Sequence, residues 1–437
     1  MKQISVNIIA IVALLVGTNC TAQTLQEFVN TAMQNNYQIN IVKNEAKIAT
    51  NNNVIGNTGM LPSVDLDGTY SNSFNNTRQE FADGTVREGS NAKNTNLSVS
   101  ALANWTVFNG FSVYAKRDQL GYLERLGQIN SKFYIEQTVS DIVTAYYQMV
   151  YEKQVLNNYQ QSLNISSYRL NLERKRKEIG SSKAIDYSQA LVDYQTDSIR
   201  LLEQQNTISG LQISINNLLN NALEQELNIS EKEFSFSAIP AKDSLLQNID
   251  QANQQIAQQR LQELIAETEL RMTKASRMPK VDLFGGYQYS RSTAEIGFSN
   301  SSQNYGPIVG VTVSFNLFNG GSTNREIKNT KLYSENTSLT KQQVTQQINA
   351  NSLIYYNEYK VLTTQIEIAK NNVDEMSKVY KIAESQLKSG SINSYDFRLT
   401  QQSLLSSELT LINLQLALKA VEINLNRMSG KIVESYL

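Results

Sequence analysis

The sequence predicts an α+β membrane protein of two tandem helix–strand–strand–helix repeats. Its strands contribute to a transmembrane β-barrel and its helices to a long coiled-coil α-helical barrel. Three observations carry this. The chain repeats itself: Leu61-Pro62-Ser63-Val64-Asp65-Leu66 returns as Met278-Pro279-Lys280-Val281-Asp282-Leu283, and Phe108-Asn109-Gly110 returns as Phe318-Asn319-Gly320. Its 437 residues hold only four prolines, at 62, 240, 279 and 307, and 20 glycines, so long stretches carry no helix breaker. Four segments alternate apolar and polar residues with the period of a strand.

The elements follow in order. Residues 1–22 read as a secretory signal peptide: Met1-Lys2-Gln3, an apolar run over 8–17, then small residues ending at Ala22. Cys20 is the one cysteine. It is an ordinary signal-peptide residue or a lipid-acylation site; Gly17 and Asn19 fit the second poorly, so the first is preferred. The first repeat is expected over 23–222, a linker over 223–242, the second repeat over 243–428 and a tail over 429–437. Pro62 and Pro279 are 217 residues apart, whereas Phe108 and Phe318 are 210 apart, so the second connection between strands is shorter, as surface loops allow.

Strands are expected near 62–74, 95–108, 279–290 and 305–318. Val64, Leu66, Gly68 and Tyr70 oppose Asp65, Asp67, Thr69 and Ser71. Leu97, Val99, Ala101, Ala103 and Trp105 oppose Ser98, Ser100, Asn104 and Thr106, interrupted by Leu102. Val281, Leu283, Tyr287 and Tyr289 oppose Lys280, Asp282, Gln288 and Ser290, and Val309, Val311, Val313 and Phe315 oppose Gly310, Thr312, Ser314 and Asn316; Phe284 and Ile308 break the pattern. A soluble sheet covers its apolar face with another sheet or helix, but the remaining sequence offers helices with seams of their own to fill. The lipid bilayer is the simplest cover. Tyr70, Trp105, Tyr287 and Phe315 would form an interfacial girdle, ordinary core aromatics being the alternative. Mixed-charge external loops are expected over 75–94 and 291–304. Four strands cannot close a barrel, since even eight leave room only for side chains, so three copies sharing 12 strands are inferred.

Long helices should run from about 111 to 178 and 321 to 388, roughly 100 Å each at 1.5 Å per residue. Shorter ones are expected over 24–57, 182–222, 243–276 and 392–428, with a non-helical collar made by the linker and tail. A Thr323-x-x-Glu326 capping box should start the second long helix. Gly180 and Gly390 should end the long helices at hairpin tips, with Ser181-Ser182 and Ser391 as N-caps of the returning helices. Asp186 and Asp396 each lie six residues past a tip glycine. First-turn acids that favour the helix dipole are the plain reading. Under threefold symmetry, Asp396 would also place three carboxylates at a narrow opening and favour cations.

Composition excludes much else. Histidine is absent, which removes imidazole catalysis and histidine-ligated metals, and the net charge of -1 argues against nucleic-acid binding. Nothing places the paired carboxylates of a glycosidase, so no enzyme is expected, nor a cofactor or bound metal. A periplasmic or surface coiled-coil scaffold without a pore would use the same heptads but leaves the strand pairs uncovered.

With these features in order, the chain resembles the TolC family of outer-membrane efflux proteins over its whole mature length. Leu25-Gln26-Glu27 leading to Asn35-Asn36 is similar to the family's opening helix. Pro62 and Phe108-Asn109-Gly110, matched by Phe318-Asn319-Gly320, look like its barrel-to-helix passages. The resemblance implies a homotrimer in the Gram-negative outer membrane with a tunnel crossing the periplasm, the passive exit duct of a tripartite efflux or type I secretion system. It implies that Ile179, Gly180, Ser181, Ser389, Gly390 and Ser391 meet a periplasmic adaptor, linked to an inner-membrane transporter of resistance-nodulation-division, ABC or major facilitator type. It also assigns Asp396 to the entrance constriction, with Asp186 a second candidate. Where the family often carries a further acid, nine residues past the glycine, this chain has Leu399.

Overall fold

The computed structural model describes residues 24–181 and 184–437, so the expected signal peptide, Cys20 and the Ser182 cap lie outside the described residues. Two helical hairpins form the long axis. In the first, α3 (Ser112–Glu178) turns back into α4 (Ala184–Leu219); in the second, α7 (Ser322–Ser389) turns back into α8 (Ser394–Met428). α3 has 67 residues and α7 has 68, about 100 Å each. α8 is long and apolar enough by composition for a span, yet it packs against α7 and α3.

The helices expected to be unbroken over 24–57 and 243–276 are each two. α1 (Leu25–Asn35) and α2 (Tyr37–Asn52) meet at Asn36; α5 (Lys242–Ala252) and α6 (Gln254–Ala275) meet at Asn253. Both asparagines are extended, with ψ 126° and 122°. Each side-chain oxygen caps the helix that follows, and each side-chain amide donates to the end of a long-range partner, Leu218 O in α4 or Met428 O in α8. An Asn that satisfies orphan groups of two helices at once stabilises a break that neither propensity nor hydropathy announces. The two stand 217 residues apart, the offset of Pro62 and Pro279.

α3 packs on α2 and α6 in one half of its length and on α4 and α8 in the other; α7 packs on α6 and then α8. Where the halves meet, Phe28 and Val29 of α1 pack on Val139 and Tyr146 of α3 and on Ile215 and Leu219 of α4. A matching core joins Ile249 and Ile256 to Ile348 and Ile366 of α7 and to Leu418 and Leu425 of α8. Residues 220–241 carry no helix, and Leu227 and Ile229 enter the first core. The tail is helical rather than irregular: α9 (Ile432–Tyr436) follows Gly430, whose φ of 66° ends α8 and turns Ile432 into the core. Buried Lys419 pairs with Glu422 at 3.1 Å and lies 4.5 Å from the Tyr147 ring, with Phe236 and Tyr436 around it, so one cation holds α3, the connector and the tail together.

The strands β1 (Ser63–Glu80), β2 (Val86–Asn109), β3 (Lys280–Ala294) and β4 (Ser301–Ser314) form one antiparallel sheet in chain order. They run past the expected external ends, leaving only residues 81–85 and 295–300 as connections. Beyond the apolar zone both faces are polar, so period two disappears from the sequence although pairing continues, as in Arg78↔Glu88 with its 2.7 Å ion pair. β4 stops at Ser314, opposite Lys280, where β3 begins after Pro279; Phe315, Leu317 and Phe318 lie past its end.

Candidate functional site

The register decides what the sheet presents. Rows of direct partners read Val64↔Ala103↔Gly285↔Val309, Leu66↔Ala101↔Tyr287↔Pro307 and Gly68↔Val99↔Tyr289↔Tyr305. Direct partners share a face, so all four apolar sets fall on one side, and a slip of one residue would bring them to the other. That face is uncovered: Leu66 is 77% and Val309 88% exposed. The opposite face is polar, with Thr106 donating to Asp282 at 2.6 Å. The residues that broke the alternation gather there: Leu102↔Gly286↔Ile308, and Phe284 opposite Gly310, where a Cβ would lie 2.3 Å from the Phe284 ring. Glycine leaves the space that the ring fills.

Tyr70 and Trp105 stand on the apolar face, and Trp105 donates its Nε1–H to Met60 O at 2.8 Å. Tyr287 lies on the same face, midway along β3 rather than at its end, and Phe315 is exposed past β4.

At the foot of the sheet, Asn109-Gly110 and Asn319-Gly320 hand the chain to the long helices. Gly110 and Phe111 have φ of 67° and 65°; Gly320 and Gly321 have 66° and 75°. A Cβ on Gly110 would lie 2.5 Å from Ala275 O, so that passage requires glycine. Asn109 and Asn319 accept from Val113 N–H and Thr323 N–H. The Thr323–Glu326 capping box does not form, because Asn319 already engages the Thr323 hydroxyl and amide.

At the far tips, Gly180 and Gly390 both have φ 75°. The turns match: Ser181 N–H donates to Arg176 O and Ser391 N–H to Gln386 O, each at 2.8 Å. Ile179, 79% exposed, precedes the first glycine; Ser389 and Ser391 flank the second with their hydroxyls 2.8 Å apart. Asn393, not Ser391, caps α8, accepting from Asp396 N–H and donating to the Asp396 carboxylate, both at 2.8 Å, because it lies three residues before the amide to be capped. Asp396 is exposed and Asp186 half-buried, each in its helix's first turn.

Just inside the tips lies a buried polar layer that sequence reasoning missed. Arg398 of α8 binds Asp197 of α4 through two nitrogens, at 2.7 and 2.8 Å, and the same carboxylate accepts from Ser162 and Ser166 of α3. Arg169 of α3 binds Asp193 at 3.0 Å and Ser394 O at 3.0 Å. Burial opposes the Asp197 charge, but Arg398 and the two hydroxyls outweigh it and hold the carboxyl below the usual range. These residues occupy seam positions: Ala190, Asp193, Asp197 and Leu201 are all buried at spacings of three and four. Polar side chains in an otherwise apolar seam are the available signal, and they specify which helices meet and in what register. Where the core halves meet, Glu136 accepts from Gln254 at 3.1 Å and burial pushes its carboxyl up to about 7, with Arg427 and Lys132 nearby opposing the shift. Among the described residues no group of acids is arranged to hold a metal ion.

Residues 245–431 match the family described as outer membrane efflux protein. No curated protein sequence matches the chain. Among solved structures, the chain is similar to the CmeC outer membrane channel of Campylobacter jejuni, with a TM-score of 0.79 at 13% identity over 93% of this chain and 85% of that one. It is similar to the outer membrane protein VceC of Vibrio cholerae, with a TM-score of 0.74 at 16% identity over 93% and 96%. A third likeness is to the MtrE outer membrane channel of Neisseria gonorrhoeae in its open state, with a TM-score of 0.72 at 14% identity over 93% and 88%. At these identities the likeness is one of fold.

Proposed function

We propose that three copies close into one passive duct, because residues 245–431 match the outer membrane efflux protein family and the chain has the fold of outer-membrane channels. This duct would cross the outer membrane as a 12-stranded barrel and the periplasm as a helical tunnel. The observation that carries this reading is the uncovered apolar face of an open sheet whose outer strands, β1 and β4, each lack a partner on one side.

The flanks support closure. One flank consists of β1, α2 and α4, the other of β4 and α7, by the order in which elements touch. On the first, Ile185, Val192 and Ile199 are exposed at intervals of seven; on the second, so are Ile354, Val361 and Ile368. Two apolar heptad stripes on opposite sides of one chain make a head-to-tail interface, which yields a ring if the rotation closes. β1 pairing with the next copy's β4 would remove both open edges in the same operation.

In this duct the tip residues Ile179, Gly180, Ser181, Ser389, Gly390 and Ser391 would meet a periplasmic adaptor, and the adaptor an inner-membrane transporter of resistance-nodulation-division, ABC or major facilitator type. Asp396 would ring the entrance with three carboxylates, and Asp186 would stand nearby. The expected repeats, 23–222 and 243–428, would be the two units each copy contributes. The matched family and fold neighbours are channels, not enzymes. Planar-bilayer recording of the detergent-extracted protein tests the duct: a trimer giving discrete, long-lived steps is expected, and a silent, water-soluble monomer would favour the scaffold. Asp396→Ala should weaken divalent-cation block of the current, and unchanged block would remove Asp396 from the constriction.

A further inference from the structure

The outward face of the barrel foot carries a feature that conduction does not use. Near the end of β2 the register shifts between Thr106 and Phe108, leaving Val107 as an extra residue, so that Phe108 pairs with Val281 and joins the apolar face. The Phe108 ring meets Phe111 edge-on at 5.3 Å, and Phe111 meets Tyr114 at 6.2 Å. This aromatic ladder descends from the lipid-facing sheet onto α3. Arg117, Gly121 and Arg125 continue below Tyr114 at spacings of three and four, on the same face of the helix.

Arg117 and Arg125 line an open cleft of about 410 Å³ between α3 and residues 53–58, where Val54 and Ile55 are half exposed. Gly121 leaves it open: a Cβ there would touch nothing within 4 Å. The cleft's acid, Asp118, is engaged by Arg271 at 2.8 Å, and neighbouring Glu124 accepts from Asn53 at 2.5 Å. Two exposed guanidinium groups therefore line the cleft beside one acid, Asp118, which is paired with Arg271, directly below an apolar ladder.

We propose that this cleft holds the phosphate of a phospholipid from the periplasmic leaflet, with Arg117 and Arg125 on its oxygens and an acyl chain along Phe111 and Phe108. The inference rests on the outer-membrane reading. Guanidinium groups bind phosphate through paired donors, and their stems lie along apolar surface while their heads stay at the polar interface. The ladder is what distinguishes a lipid from free phosphate, since an inorganic ion has nothing to place against Phe111 and Ile55. The cleft's net positive charge favours an anionic headgroup.

The test uses the full-length trimer in nanodiscs of phosphatidylethanolamine doped with phosphatidylglycerol. Native mass spectrometry counts the lipids that survive a detergent wash. Wild type should retain phosphatidylglycerol, and R117A/R125A should retain it at least about tenfold more weakly, as expected for losing charge-assisted contacts; R117K/R125K should fall between. Equal retention by wild type and the alanine variant overturns the site, as does displacement of the lipid by millimolar inorganic phosphate. If the alanine variant does not assemble, wild type decides: retention of phosphatidylglycerol and phosphatidylethanolamine in proportion to their share of the nanodisc refutes the assignment. Conductance of the same preparation separates the two readings. No channel at all counts against the duct, whereas normal channels with unselective lipid retention count against the cleft alone.

Discussion

Asp197→Ala tests whether the buried layer holds the two hairpins together. The Asp197 carboxylate accepts from both terminal nitrogens of Arg398, at 2.7 and 2.8 Å, from Ser162 at 3.1 Å and from Ser166. Its removal leaves Arg398, 4% exposed, with two neutral acceptors, the Ser166 hydroxyl and Gln401, each at 3.2 Å, and with Asp193 no nearer than 3.8 Å. Breaking a buried pair from one side costs about 3–5 kcal/mol, mostly from the stranded charge. Since each 1.4 kcal/mol is tenfold, the balance between joined and separated hairpins shifts by roughly two to three and a half powers of ten. Single-channel conductance should rise as the tips separate, and the urea midpoint of the helical region should fall. Replacing both partners together, D197L/R398L, should restore most of the stability, because no charge is left unpaired. The depressed carboxyl also sets a pH sign: its contribution is fully present above about pH 4 and is lost as pH falls below that, through the folded value. Wild-type conductance together with a wild-type midpoint in D197A would refute the reasoning.

Glu136, raised to about 7, works in the opposite direction: its burial costs nothing at pH 4 and destabilises the fold increasingly as pH rises towards 7. Glu136→Gln should therefore raise the melting temperature at pH 8 and flatten its dependence between pH 5 and 8; an unchanged slope would mean that Glu136 is not the group responsible. Gly286→Ala would bring a Cβ to 2.0 Å from Ala101 O across the β2–β3 pairing that joins the repeats, so the yield of folded trimer on unheated gels should drop sharply. Leu66→Arg puts a charge on the apolar face and should cost about 2–4 kcal/mol of barrel stability, whereas Asp67→Arg, one residue along on the polar face, should cost little. A cost for Asp67→Arg on urea unfolding in liposomes equal to or larger than that for Leu66→Arg would mean that the Leu66 face does not meet lipid.

Strand pairs, long helices and tip glycines were legible in the sequence because each rests on a local rule. Alternation marks Val64 to Tyr70, the absence of proline marks α3 and α7, and Gly180 and Gly390 are needed where φ is positive. The lines that misled were also local. Ser391 and Thr323 carry capping chemistry, but Asn393 and Asn319 are better placed to reach the same amides. The external strand ends lost their period with their apolar face, and Asn36 and Asn253 broke helices by bonding to residues far along the chain.

What the sequence determined by itself is the class of protein: a duplicated unit whose strands have one apolar face and whose helices have apolar seams, periodicities that follow from two residues per pleat and 3.6 per turn. Only the tertiary structure decided which surfaces stay bare. It aligned four apolar strand faces on one side by register and set β1 and β4 at open edges. It brought Arg398 to Asp197 across a separation of 201 residues and Arg117 and Arg125 into one cleft below Phe111. Such placements depend on contacts between distant segments, and the energy of a buried charge or an uncovered face is set by what surrounds it, not by the residues beside it in the chain.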